Sequence, residues 1–489
     1  MNKGSHSSSF LIACASVLLL CPGAAAAATI ETTDCSQAAV QTAIDAAGGG
    51  DTVVIVNGSC SWTGGIFTDK QITLQGESVD GVTITHEAGA ATLLDVTIGT
   101  GFRTTIANLR FMPGTGTGVY IGLHGTGLAP LMHDCTFNLP NFQLDRAVKW
   151  EVTGGVIWNT TFESTENLDG ECGTQVGSDS GSLLVRGGPP WDTASTLGTL
   201  DTTGEMNVYI EDSVFSYVGQ APDVDSDGRV VIRHCRFIGS SGTTHGPTSV
   251  SGGRQFEFYD NAFSYPNPNR NLNRYFWFRA GTGVITGNSI QAIDSAPCYA
   301  NASSFVFAVE NAHRNAHGCC TGTMCFHQPG SGSDGVAHSP PFTSAGQDDE
   351  YQIPDPIYIW DNTGTGAATD RIVGTNDGEP ADCGTAYGTA DFFVEGRDYI
   401  VDGGPKPGYA PYPYPHPLRG TEPPPDETAE TPAEIPPDAA ETPADSPAET
   451  VPDTSTDTAP PETGLDTAGD DGGDGGGGES GGCGCSMAS

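Results

Sequence analysis

One side chain keeps returning at one phase of this sequence. The segments TTIANLRF, PLMHDCTF, GVIWNTTF, VYIEDSVF, VVIRHCRF, FEFYDNAF and GVITGNSI close on Phe111, Phe137, Phe162, Phe215, Phe237, Phe263 and Ile290. The successive gaps are 26, 25, 53, 22, 26 and 27 residues, and the gap of 53 reads as two periods. Three residues before the closing position stand Asn108, Asp134, Asn159, Asp212, His234 and Asp260. A fixed period of this size marks a stacked repeat architecture. The repeats carry no i, i+3, i+4 apolar stripe, which excludes a helical solenoid, and a β-sandwich has no need of one side chain at one phase. Neighbouring coils should therefore pair through parallel strands. The phenylalanines should stack inside, and the polar position before them should form a ladder at a turn.

The front of the repeat fits a closed end. DCSQAAVQTAIDAAGGGDTVVIVNGSCSW, residues 34 to 62, reads as a short amphipathic helix, a Gly-rich turn and a first strand, and QITLQGES and GVTITHE follow as further strands. With the phased phenylalanines, this order resembles the right-handed parallel β-helix of the pectate-lyase-like superfamily, over roughly Thr29 to residue 365. The resemblance implies an all-β solenoid with an N-terminal cap helix. It implies no single chemistry, because that fold hosts lyases, hydrolases, epimerases and adhesins.

The two ends read differently. Lys3, an apolar run and the alanines before Thr29 have the pattern of a secretory signal peptide over residues 1–28, with lipoprotein processing at Cys14 as the rival reading. Residues 29–420 form the expected β-helix domain. Its last part, DYIVDGGPKPGYAPYPYPHPLRG, is expected to run extended across the coils. Residues 421–489 hold 17 acidic residues and no Lys or Arg, with many prolines and glycines, and read as a disordered acidic stalk. The stalk ends in GGCGCSMAS, which resembles a truncated myxobacterial surface-sorting signal. That resemblance implies processing or lipid attachment at Cys483 or Cys485; the alternative is that the two cysteines pair. The whole chain carries a net charge of −41, and −24 without the stalk, which argues against nucleic acid as a partner.

Cysteine usage fits an oxidising compartment. Cys35 and Cys60 flank the cap helix and first strand, so a disulfide there would staple the lid. Cys135 and Cys235 share one phase in distant coils and read as buried thiols. Cys172, Cys298, Cys319, Cys320, Cys325 and Cys383 are left without assigned partners. The first of these lies far from the rest, and the 310–327 stretch also holds His313, His317 and His327, which could be metal ligands but more simply sit among disulfides.

Three constellations could carry chemistry. Asp223, Asp225, Asp227 and Gly228 match the first half of a calcium loop, but the twelfth position is His234 instead of glutamate. A Ca2+ site completed from elsewhere and a solvated acidic turn both remain open. Arg103, Arg229 and Arg254 lie 8, 8 and 9 residues before their closing phenylalanines, and Arg279 lies 25 after Arg254. Stacked coils would set these arginines in a positive row able to hold the carboxylates of a uronic acid polymer, unless aspartates already neutralise them. His245 is the candidate base beside that row, with Arg229, Arg254 and Arg279 as carboxylate neutralisers and Tyr259 and Tyr275 as substrate contacts. Asp145, Arg146 and Lys149 form a second charged cluster.

Two functions are consistent with these residues. The first is an exported β-helix protein that recognises, and by elimination cleaves, an acidic polysaccharide. The second is a non-catalytic adhesin or spacer displayed on the stalk. A single chain is expected to suffice in either case.

Overall fold

The computed structural model describes residues 26–89, 92–139, 146–164, 181–187, 204–246, 252–265, 275–291, 305–309, 327–340, 342, 351–364, 372–376 and 393–420. Asp145, His313, His317, the six cysteines left without partners, Cys14, Cys483, Cys485 and nearly all of the leader and stalk lie outside them.

Three long parallel sheets of twelve, ten and ten strands wrap one core as a right-handed β-helix. Each coil contributes one strand to each sheet in turn. The twelve-stranded face includes Gly155–Trp158, Val208–Glu211, Arg229–Arg233 and Gln255–Tyr259. The phenylalanine face includes Thr136–Leu139, Thr161–Ser164, Val214–Ser216 and Arg236–Ile238. The third face includes Arg146–Glu151, Gly181–Val185, Asp223–Val224, Gly242–Thr244 and Phe276–Phe278.

The expected stack is present. Rings of Phe111, Phe137, Phe162, Phe215, Phe237 and Phe263 follow one another at 4.5–5.2 Å with interplanar angles of 3–21°. All six are 0–2 % exposed, so each ring exchanges water for its neighbours above and below. One detail of the period is corrected. Phe162 pairs directly with Phe215, so the gap of 53 is a single coil lengthened by insertions at other corners.

The polar ladder has a stereochemical cause. From the strand ending at His133 to the one starting at Thr363, two residues connect the twelve-stranded face to the phenylalanine face in every coil. The first is left-handed: Asp134, Asn159, Asp212, His234, Asp260, Gly287 and Asp361 have φ between 46° and 67°. Asn, Asp and Gly tolerate that region best, which explains the composition of the position. The second residue turns inward. Cys135, Thr160, Ser213 and Cys235 donate to the carbonyl two residues back at 2.8–3.3 Å. Asn261 and Asn288 each donate to the oxygen of the next asparagine, Asn288 and Asn362, at 3.0 and 2.8 Å. Both thiols are free and buried, as expected, and burial pushes the Cys135 thiol up to about 12. They lie three coils apart, about 14 Å, too far to bridge.

The first coil and the outside of one face are each covered by identifiable groups. Helix Gln37–Ala46 buries Val40, Ala43 and Ile44 over the first coil and is capped by Ser36. Lys70 Nζ donates to the carbonyls of Ile44, Asp45 and Ala47 at 2.6–2.9 Å, placing a cation on the negative end of the helix. Cys35 and Cys60 form the expected disulfide. The Pro/Tyr-rich segment lies as a strap on the outer surface of the twelve-stranded face, where Tyr412 and Leu418 pack on Val156, Trp158, Tyr209, Val231 and Tyr259. Under the strap, Arg233 donates to Glu211 at 2.8 Å and to the carbonyls of Tyr412 and Pro413. Arg419 joins the same Glu211 at 2.8 Å and also pairs with Asp212.

Candidate functional site

The arginine row requires correction. Register pairs Arg229 with Gln255, which leaves Arg254 one residue out of phase at the corner before its strand. Arg103 does share the Arg229 column, but Ala129, Gly154 and Asn207 stand between them, so four coil steps separate the two, about 19 Å. Arg229, Arg254 and Arg279 are only 3, 0 and 5 % exposed and do not line an open groove as a row. Arg229 donates to Gln255 at 3.4 Å. Burial and the neighbouring Arg229 lower the Arg254 guanidinium to about 10, with Asp355 and Asp227 opposing. The two tyrosines are corrected as well. Tyr275 packs edge-on against Phe263 inside the core, and Tyr259 lies under the strap with its hydroxyl accepting from Arg233 at 2.6 Å. Neither offers a face to a sugar.

A different alignment appears at the end of the third-face strands. Register sets His124 beside Glu151, and continuing it by one residue sets Glu151 beside Arg186, Arg186 beside Asp225, Asp225 beside His245 and His245 beside Arg279. Consecutive members are one coil apart, about 4.8 Å. Arg186 bridges Asp225 at 2.9 Å and Glu151 at 3.2 Å. One position earlier on the outward side, Asp223 accepts from Arg146 at 3.1 Å and faces Arg279 at 3.7 Å. The Arg279 guanidinium lies 4.2 Å from the centre of the Trp277 ring, and its Nε donates to the Thr244 carbonyl at 3.1 Å. His245 is half-buried, with Nδ1 2.9 Å from the Gly246 carbonyl. Arg146 thus joins Asp223, Asp225, His245 and Arg279 in one cluster, while Lys149 lies on the same face between Gly122 and Leu184.

The half-loop of aspartates does not converge on a point. Asp223 faces Arg146 and Arg279, Asp225 faces Arg186 and accepts from the Ser226 amide, and Asp227 interacts with Arg254. Among the described residues no group of three His, Cys, Asp or Glu could hold a metal ion. The cations these carboxylates already face are guanidiniums, so the arrangement does not fit Ca2+. His327, the one described histidine of its cluster, is buried with its amide donating to Gln352 at 2.9 Å.

Glu151, Arg186 and Trp277 were missed by the sequence reading. A signal for part of the rank existed: Leu123-His124-Gly125, Val185-Arg186-Gly187 and Thr244-His245-Gly246 each put a polar residue near a strand end directly before a glycine, and Phe278-Arg279-Ala280-Gly281 does so with one residue between. Their spacings of 62, 59 and 34 obscure it, because both corners flanking the third face carry insertions of unequal length.

No protein-family model matches the chain, and no curated protein is similar to it. Among solved structures it is similar to an alginate lyase from Paenibacillus sp. str. FPU-7, at 13 % identity and TM-score 0.39, covering 71 % of this chain and 98 % of that one. A family 28 exopolygalacturonase from Yersinia enterocolitica follows at 10 % identity and TM-score 0.32, covering 72 % and 79 %. The catalytic domain of a GH87 alpha-1,3-glucanase matches at 8 % identity and TM-score 0.28, covering 76 % and 67 %. At such identities none of them assigns a role to a residue here.

Proposed function

We propose that the third face recognises an acidic polysaccharide. The observation that carries this is the rank of carboxylate, guanidinium and imidazole groups one coil apart, from Glu151 to Arg279, beside Trp277. Guanidinium forks suit uronate carboxylates, and a polymer can exchange its own carboxylates for those of Glu151 and Asp225 along the row. The Arg186 side chain is 39 % exposed, which makes that exchange accessible there.

Cleavage would add one step at His245. Its imidazole would take the proton beside the sugar carboxylate while Arg279 or Arg186 balances the charge on that carboxylate. The electron pair then forms a carbon–carbon double bond, the bond to the bridging oxygen breaks, and that oxygen takes a proton from solvent. The ion pairs already holding these arginines favour recognition over elimination, so a non-catalytic adhesin is the second reading. Export, with residues 1–28 as signal and the acidic tail as stalk, belongs to the same proposal and is supported by the Cys35–Cys60 disulfide. N-terminal sequencing of the mature protein tests that part.

The deciding experiment incubates the full chain with a panel of polyuronates and follows both retention of the protein on each polymer and ultraviolet absorbance of unsaturated ends. Salt-sensitive retention is expected. Absorbance that disappears in His245→Ala establishes elimination, retention alone leaves an adhesin, and no retention on any polyuronate overturns the reading.

A further inference from the structure

The column that begins at Arg103 contains a gap. Its outward side chains run Arg103, Ala129, Gly154, Asn207, so two successive coils present only a methyl group and a hydrogen between two long polar residues. Arg103 and Asn207 are three coil steps apart, about 14 Å. The missing side chains open a cleft of about 610 Å³ on the outer surface of the twelve-stranded face. Leu128 and Met206 wall it, and the strap closes one end with His416, Pro417 and Leu418. The volume is that of a small-ligand site.

The polar groups in this cleft differ from those of the buried and half-buried ion pairs elsewhere. Arg146, Arg186, Arg233, Arg279 and Arg419 each lie within 4 Å of a carboxylate. Arg103 has no carboxylate at that distance among the described residues; its guanidinium donates to the Ala129 carbonyl, and burial lowers its pKa. Glu205 lines the cleft from its exposed side but is beyond ion-pair distance of Arg103. On the opposite wall Asn207 is fully buried, and neither atom of its amide has a hydrogen-bond partner of normal geometry, although the Tyr209 hydroxyl is close enough to interact. His416 adds no charge near neutral pH, because burial pushes its pKa down to about 4. In a chain of net charge −41, a half-buried guanidinium facing open space is a seat for an anion.

We propose that the Arg103 cleft binds one carboxylate-bearing sugar unit, with the carboxylate on Arg103 and the ring between Leu128 and Met206. This rests on the acidic-polysaccharide reading and extends it around a corner. Glu151 of the charged rank and Gly154 of the cleft floor are three residues apart, at most about 10 Å of chain. A polymer lying on the rank therefore reaches the cleft within about two sugar units, and the two sites form one bent path.

The test is isothermal titration of the full chain with uronic acid trimers (galacturonate, guluronate and mannuronate) and with the same trimers after carboxyl reduction. Two variants probe the cleft: Arg103→Gln removes the charge, and Ala129→Leu fills the gap while leaving the charge in place. Thermal melts confirm that both fold. The expected result is that at least one uronate trimer binds wild type, and that both variants weaken it by about tenfold or more while Arg186→Ala weakens it independently. Wild-type affinity in both cleft variants, with loss only in Arg186→Ala, overturns the cleft and leaves the third face standing. Equal loss for the reduced trimers overturns the carboxylate assignment. No binding of any trimer or polymer to wild type overturns both proposals.

Discussion

The twelve-stranded face and the third face use the same chemical groups and reach opposite ends. Under the strap, Glu211 is shared by Arg233 and Arg419, and all three side chains are 0 % exposed. On the third face, Arg186 holds Glu151 and Asp225 with 39 % of its side chain in water. What differs is the cover. A strap fixed by backbone carbonyls, tilted ring contacts on Tyr209 and a cation over Trp158 takes the first set of charges out of solvent. Once desolvated, such a set is costly to break and of little use for exchange with a ligand. The half-open set contributes little to stability and stays available.

That contrast can be broken from its largest effect downward. Glu211→Ala should leave the buried Arg233 guanidinium without a carboxylate and Arg419 with Asp212 alone, and cost roughly 3–5 kcal/mol in denaturant unfolding. Phe237→Ala, in the stack behind both faces, should cost a comparable 3–5 kcal/mol through the cavity it leaves. A loss below 1 kcal/mol for Glu211→Ala would mean that the strap is not docked in solution. Glu257, 1 % exposed and contacted by Tyr409 at 3.1 Å, provides a pH test. Burial raises its carboxyl to about 7. Above its unfolded value near 4.5 the unfolded chain releases this proton before the folded one does, so folding loses stability as pH rises from about 4.5 to about 7. Glu257→Gln should therefore stabilise the protein by on the order of 3 kcal/mol at pH 8 and leave it unchanged at pH 4. Arg186→Ala should cost less than about 1 kcal/mol of stability yet visibly reduce retention on polyuronates. Calcium should have the smallest effect: added calcium or chelator should leave the melting curve in place, and a rise with calcium would show that Asp223, Asp225 and Asp227 abandon their arginines for the ion.

Why the fold was legible and the site was not follows from where insertions fall. Phe111 to Phe263 and the residues three before them sit across a corner of constant length, so their phase survives in the sequence. The rank from His124 to Arg279 sits between two corners of variable length, so its phase does not. The arginine row failed for a related reason. The spacing of 25 residues suggests that Arg254 lies beside Arg229, but their closing phenylalanines are 26 apart, and the pairing shows the resulting one-residue offset, enough to remove a side chain from its column. Tyr259, expected as a substrate contact, lies under the strap instead, and nothing in its own repeat announces a segment that arrives 150 residues later.

The corner of constant length also determines where this chain can be extended. Its left-handed residue and its inward Cys, Thr, Ser or Asn are bonded to the coils around them, so an added residue there would unseat both and shift every side chain downstream. Between Ser164 and Gly181, by contrast, the coil accommodates sixteen residues while Phe162 still stacks on Phe215 at 5.1 Å. A peptide tag or a small foreign domain placed in that interval should leave the barrel intact, and the same cargo between Trp158 and Thr161 should prevent it from closing. Added length is thus expected to be tolerated at the corners whose length already varies and excluded at the corner of constant length.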